Sequence, residues 1–232
     1  MSSPVPIPRQ FLTSLIESLN SIPTPPTPQP SLEGANPLKL IPPAHRPLLT
    51  TLYALYPLTL LPALDLLDRH LATRIIIAPS RPQGDTTAPA APHEEQQPPT
   101  PHHPFYIVRS AQPQHPRRDT ASASASAPGP RYVVRLSAWN CSCAAFAFAA
   151  FPRGEDRYVA PSPADRTRED ALEWQFGALS LDGTDGSGIA GVPCCKHLLA
   201  CVLAERWSAV LGGYVDERVV GREEAAGLVA DV

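Results

Sequence analysis

Proline does most to limit what this chain can build: it supplies 30 of the 232 residues, against 13 glycines. The usual share is about 5%. Proline lacks a backbone N–H and holds φ fixed, so a run of prolines cannot enter a helix interior or a central strand. The tract 23–30 (PTPPTPQP) therefore reads as a stiff, extended spacer. The Pro/Ala/Glu/Gln-rich segment 79–103 and the low-complexity segment 111–130, with its ASASASAPGP run, are expected to be disordered. What remains suffices for one compact domain of about 120–150 residues.

Between these tracts the apolar pattern is regular. Residues 9–22 place Phe11, Leu12, Leu15, Ile16 and Leu19 at helical spacing. Residues 46–56 and 62–72 predict two short helices, each with a proline near its start, where a missing N–H costs nothing. Residues 73–78 (TRIIIA), 105–109 (FYIVR) and 131–138 (RYVVRLSA) predict strands. The last two are expected to pair as a hairpin whose loop has been lengthened. Residues 144–151 (AAFAFAAF) are short and apolar, with helix and strand equally open. Residues 152–193 read as another insert, carrying one apolar island at 171–179 (ALEWQFGAL) that is expected to pack back on the domain. Residues 197–207 predict a helix with Leu198, Leu199, Val202 and Leu203 on one face, and the tail from Val215 is expected to hold a weak helix and is otherwise uninformative.

Bulk chemistry narrows the function. The net charge is -3, and a protein that gripped nucleic acid mainly through its own phosphate contacts would normally carry a basic excess. Only Lys39 and Lys196 occur as lysines, although 17 arginines could partly compensate. The stretch 48–67 is cut by Pro57, Pro62 and Asp65 and does not read as a membrane span. Residues 1–9 (MSSPVPIPR) are proline-broken rather than an apolar signal core, so an intracellular protein is expected.

The chemistry sits in the cysteines. There are five, all in the C-terminal half, and an odd count in two clusters does not suit a disulfide framework. Thiols in a reducing compartment are more often metal ligands than bridges. Cys141-Ser142-Cys143 and Cys195-Lys196-His197 offer three thiols and one imidazole, the donors a structural zinc prefers in a tetrahedron. Cysteines one residue apart can face the same side only in an extended or turn conformation. In a helix, positions i and i+2 diverge by about 200°. Cys195 is therefore expected just before the helix and His197 in its first turn. Cys201 reads as a buried small hydrophobe, and Cys194 as a neighbour outside the ligand set. His102 and His103 lie in a proline-rich tract and His70 beside Asp68 and Arg69, so all three read as solvated or half-buried side chains; Lys196 points to solvent, and Trp139 and Trp207 read as core around the metal.

The run Cys-Ser-Cys-Ala-Ala-Phe-Ala-Phe (141–148) and the run Cys-Lys-His-Leu-Leu-Ala (195–200) resemble the SWIM zinc finger, C-x-C followed by C-x-H. More closely, they are similar to the SWIM-domain subunit of the Shu complex, a family of homologous-recombination mediators. The segment 63–69 (ALDLLDR), with the strand after it, is similar to that family's N-terminal half. The resemblance covers roughly residues 46–78, 105–110, 131–151 and 194–207 and says nothing about the low-complexity inserts. Together with the patterns above, the expected fold is α+β: a small N-terminal helical part plus a zinc-stapled ββα SWIM finger, with long disordered proline-rich inserts. The expected division is an N-terminal helix and proline-rich spacer (1–45), a helical hairpin and strand (46–78), a disordered linker (79–104), the finger region (105–214, with inserts at 111–130 and 152–193) and a tail (215–232). The resemblance implies a Zn2+ held by Cys141, Cys143, Cys195 and His197. It also implies a nuclear, non-enzymatic role in DNA repair, with a RecA-like recombinase paralogue as protein partner and single-stranded DNA reached through the complex.

One departure stands out: 51 residues separate Cys143 from Cys195, far more than the family's short spacer. Loop closure grows only logarithmically, so lengthening a spacer from ~15 to ~50 residues costs about 1 kcal/mol. Zinc binding supplies on the order of 10 kcal/mol or more, so the insert leaves the site viable. Two other functions remain open. A direct nucleic-acid-binding SWIM finger, transposase-like or transcription-related, would bind DNA tightly and with steep salt dependence. A Cys–His enzyme would need a metal-free reactive thiolate and an orienting third group, and the sequence names no such group.

Overall fold

The computed structural model describes residues 8–21, 41–79, 103–111, 129–151, 174–178, 183–184 and 190–232. The expectations of disorder for 79–103 and 111–130 fall almost wholly outside these residues, as does most of the insert 152–193. Within them the fold is mixed α/β, with seven helices and a five-stranded sheet.

Three helices lead into the sheet: α1 (Pro8–Ser21), α2 (Arg46–Leu55) and α3 (Leu60–Asp68). The stop to α3 is local chemistry. His70 sits in the left-handed region at φ 48, the Leu71 N–H reaches the Leu66 carbonyl at 3.0 Å, and the His70 N–H reaches that of Leu67 at 2.9 Å. This is the paired closure that usually places glycine at the turning residue. It sends the chain directly into β1 (Ala72–Ile77), so His70 lies past the helix rather than on it. Strands β2 (Phe105–Arg109), β3 (Arg131–Arg135) and β4 (Asn140–Cys141) follow, each antiparallel to its predecessor, and β2 and β3 form the expected hairpin. The undecided segment after β4 is a helix, α4 (Ala144–Ala150). A two-residue pair, β5 (Gly183–Thr184) with β6 (Ala190–Gly191), precedes α5 (Lys196–Arg206) and the short α6 (Ser208–Leu211).

The segment expected as a weak tail is instead structural. Residues Asp216–Val220 form β7, parallel to β1 at the edge of the sheet, and α7 (Arg222–Ala230) packs behind it. The strand order is β4-β3-β2-β1-β7. β7 escaped the sequence pattern because only Val220 of its five residues is buried. An edge strand presents too little apolar alternation to be seen.

The sheet has two covered faces. On one, Ala72, Tyr106, Val108 and Val134 meet α1, α3 and α5 in the main core, which runs in sequence from Leu12 to Tyr214. On the other, Ile75, Phe105, Ile107, Val133 and Val220 pack under Ala225 of α7. Helix α5 was expected to bury one face. It buries every residue from His197 to Ala204, as a helix enclosed between a sheet and other helices must. The strands and helix around the expected finger thus belong to a larger body than a ββα unit.

The island at 171–179 packs back as expected over its described part, 174–178. Phe176 is fully buried, edge-on to Trp139 with ring centroids 4.5 Å apart, and its N–H donates to Thr13 Oγ1 at 2.9 Å. Arg9 of α1 donates to the Ala178 carbonyl at 3.0 Å, and the Arg206 guanidinium lies 3.9 Å from the centre of the Trp174 ring. Gly177 has φ +95, a conformation that favours glycine, and a Cβ there would fall 2.6 Å from Arg9 Nη1 and oblige that guanidinium to shift.

Candidate metal centre

Sheet pleat and helix start bring the four expected ligands together. Cys141 pairs across the sheet with Val134, and both belong to the main-core face that looks toward α5. The chain then turns. Ser142 exchanges hydrogen bonds with Val133, its N–H donating to the Val133 carbonyl and its Oγ accepting the Val133 N–H, both at 3.0 Å. Cys143 is the N-cap of α4 in extended conformation, and its Sγ accepts the Phe146 N–H at 3.3 Å. Cys195 caps α5 in the same way, accepting the Leu198 N–H at 3.5 Å, and His197 is the second residue of that helix. The expected placement of Cys195 before the helix and His197 in its first turn is what the backbone shows.

The Sγ atoms of Cys141, Cys143 and Cys195 and a ring nitrogen of His197 all lie within 4.8 Å of one another. His197 Nδ1 is 3.7 Å from Cys141 Sγ and 4.0 Å from Cys195 Sγ. Each of the four residues is only 3% exposed. The His197 ring is seated against Tyr132 at 4.5 Å between centroids. Its Nε2 is buried and has no hydrogen-bond partner among the described residues.

Charge in this cluster is strongly coupled. Cys143 is held far below the usual thiol range, chiefly by hydrogen bonds from Cys141 and Cys195. Cys141, donating those hydrogens, is pushed far up, and burial adds to the effect. Cys195 gains a lowering hydrogen bond from Cys141, but Cys143 and burial outweigh it and push the thiol up to about 12. Three buried sulfurs so close together cannot all ionise unless a cation sits among them. Four buried, convergent donors of this kind form a cluster that could hold a metal ion.

The remaining candidates fall outside the cluster. Cys194 turns its Sγ toward the Cys195 carbonyl, and Cys201 is fully buried in the core, one turn along α5. His103 is exposed, and His102 lies outside the described residues. His70 is partly exposed beside Tyr214 and 3.9 Å from Asp216. Trp139 and Trp207 are each 1% exposed and are core residues, as expected. Trp139 adopts φ 48, and its Nε1 donates to the Pro193 carbonyl at 2.7 Å, tying the β3–β4 turn to the approach to α5. His45 was missed by sequence reasoning. It is fully buried, stacked against Trp207 at 4.8 Å with Nε2 3.1 Å from the Leu19 carbonyl, and a lone histidine between Ala44 and Arg46 gives no pattern to read.

No protein-family model matches the chain, and no curated protein matches it. No helix among the described residues is long and apolar enough to cross a membrane.

Proposed function

We propose that this chain is a zinc-stapled, SWIM-type adaptor of homologous-recombination DNA repair, non-enzymatic and nuclear, similar to the SWIM-domain subunit of the Shu complex and acting with a RecA-like recombinase paralogue. The observation that carries the metal half is the buried Cys141–Cys143–Cys195–His197 cluster. A tetrahedral zinc with arms of about 2.0–2.3 Å sets its ligand atoms roughly 3.6–3.8 Å apart. The spacings of 3.7 and 4.0 Å to His197 Nδ1 fit such an ion with small adjustments. Three thiolates and one imidazole close the tetrahedron and leave no position for substrate water, which favours a structural ion. Such an ion supplies cross-linking of β4, α4 and α5; the chain's own residues do the rest, Cys143 and Cys195 capping their helices and Tyr132 holding the His197 ring.

The recombination half rests on the likeness of residues 141–148 and 195–200 to that family, with the net charge of -3 favouring a protein partner over naked DNA. Capture of the full-length chain from its own cells, followed by mass spectrometry and co-expression, tests it. A RecA-like ATPase paralogue should co-purify at fixed stoichiometry with wild type and be lost with His197→Ala, while the isolated chain holds a single-stranded oligonucleotide only weakly. Tight, steeply salt-dependent oligonucleotide binding by the isolated chain, with no such partner, would replace this reading with the direct DNA-binding finger.

A further inference from the structure

The sheet face opposite the metal centre carries an unusual charge arrangement. Residues 105, 107 and 109 of β2 and 131, 133 and 135 of β3 alternate onto this face, and the register sets Arg109 directly opposite Arg131. Like charges facing each other across an antiparallel pair are destabilising; Arg109 offsets part of that cost by donating from Nη2 to the His70 carbonyl at 3.4 Å. Arg135 stands two pleats further along β3 on the same face, its guanidinium 5.9 Å from the centre of the Phe105 ring. All three arginines are exposed. No acidic side chain pairs with any of them among the described residues; the ion pairs of this face, Arg218 with Glu224 and His70 with Asp216, stand at its β7 side.

Beside Arg135 the face opens into a groove of about 450 Å³ between the sheet and α7. Its floor is apolar, with Ile77, Phe105, Ala225 and Val229, while Arg135 and Arg222 stand among its lining residues. An apolar slot continuous with a row of arginines is complementary to a chain that carries carboxylates and one apolar side chain.

We propose that this face docks an acidic peptide segment of a partner protein, its carboxylates held by Arg109, Arg131 and Arg135 and one apolar anchor side chain seated in the groove under α7. Arginine suits the task, because its planar fork binds carboxylate through two parallel hydrogen bonds. Single-stranded nucleic acid is the weaker fit. It would need an aromatic face for base stacking, whereas Phe105 is 6% exposed and already lies against Arg135. This surface shares no residue with the metal cluster, and the proposal stands whether or not the recombination reading does.

The test is fluorescence anisotropy on the full-length protein with a labelled twelve-residue peptide of Glu and Asp around one central Phe. Arg131→Ala and Arg135→Ala should each weaken binding about tenfold and flatten its salt dependence. Ala226→Trp, at an exposed groove-lining position, should abolish binding by filling the slot. Circular dichroism and metal content should stay at wild-type values in all three variants, which separates a lost surface from a lost fold. Equal binding by wild type and the Arg131→Ala/Arg135→Ala double variant would overturn the proposal. So would tighter binding of an oligothymidine that displaces the peptide and responds to the same substitutions.

Discussion

Cys195 serves the backbone and the metal cluster with one sulfur atom. Its Sγ accepts the Leu198 N–H at the start of α5 and also faces the other three ligands. Losing a helix cap costs roughly 1 kcal/mol, and on the proposed reading losing a ligand also removes the metal staple between α5 and β4. Cys195→Ala should therefore lower metal affinity by more than about 100-fold, the upper end of what removing even an outer-shell partner costs. Cys194→Ala, one residue away with its thiol turned elsewhere, should leave metal content unchanged, as should Cys201→Ala. Competition titration against a chelator of known affinity reads all three; metal loss in the Cys194 or Cys201 variant would mean that the ligand set has been misassigned. This scale was the most legible in the sequence. C-x-C and C-x-H state their own geometry, because cysteines two apart converge only outside a helix. His45 and the left-handed His70 and Trp139 were not legible, since each depends on partners distant in sequence.

At the scale of elements, the long insert between the two ligand pairs is anchored rather than merely tolerated. Phe176 sits fully buried between Trp139 and Tyr56, its N–H is received by Thr13, and Gly177 leaves room for Arg9. Phe176→Ala should cost about 3–5 kcal/mol of stability, and Gly177→Ala should also destabilise, by clash and by its positive φ. Urea unfolding at neutral pH checks both; wild-type midpoints would show that the island contributes nothing to the core. Aromatic content made the island visible in the sequence, but its docking site on α1 was not, because Thr13 and Arg9 carry no signal at that range. Strand β7 shows the opposite failure: its pairing with β1 is regular, yet its exposed Asp216, Glu217 and Arg218 hide it from an apolar pattern.

For the whole molecule, burial fixes how stability responds to pH. Tyr56 and Tyr106 are pushed well above the ordinary phenol value, chiefly by burial, with Cys194 and Glu205 respectively adding to it. Burial likewise raises the Cys201 thiol. Groups whose folded pKa exceeds the unfolded one stabilise fully below the unfolded value, about 8.5 for Cys and 10 for Tyr, and lose that stabilisation as pH rises beyond it. The urea midpoint should hold near neutrality and fall progressively above about pH 8.5; a midpoint that rises into that range would contradict the assignment. At the acid end a zinc-loaded chain should release its ion as the ligands protonate. The α+β character was readable from helical and strand periods, whereas the union of N-terminal helices, sheet and C-terminal helix around α5 was not. That union depends on one core whose residues run from Leu12 to Tyr214 in the sequence.

Elemental analysis of the purified full-length chain tests the proposed structural zinc at Cys141, Cys143, Cys195 and His197. Wild type, Cys195→Ala and His197→Ala are measured together, each with its circular dichroism spectrum. About one zinc per chain is expected in wild type, with zinc and ordered structure lost together in both variants. A wild-type protein that is folded and free of zinc would contradict the proposal.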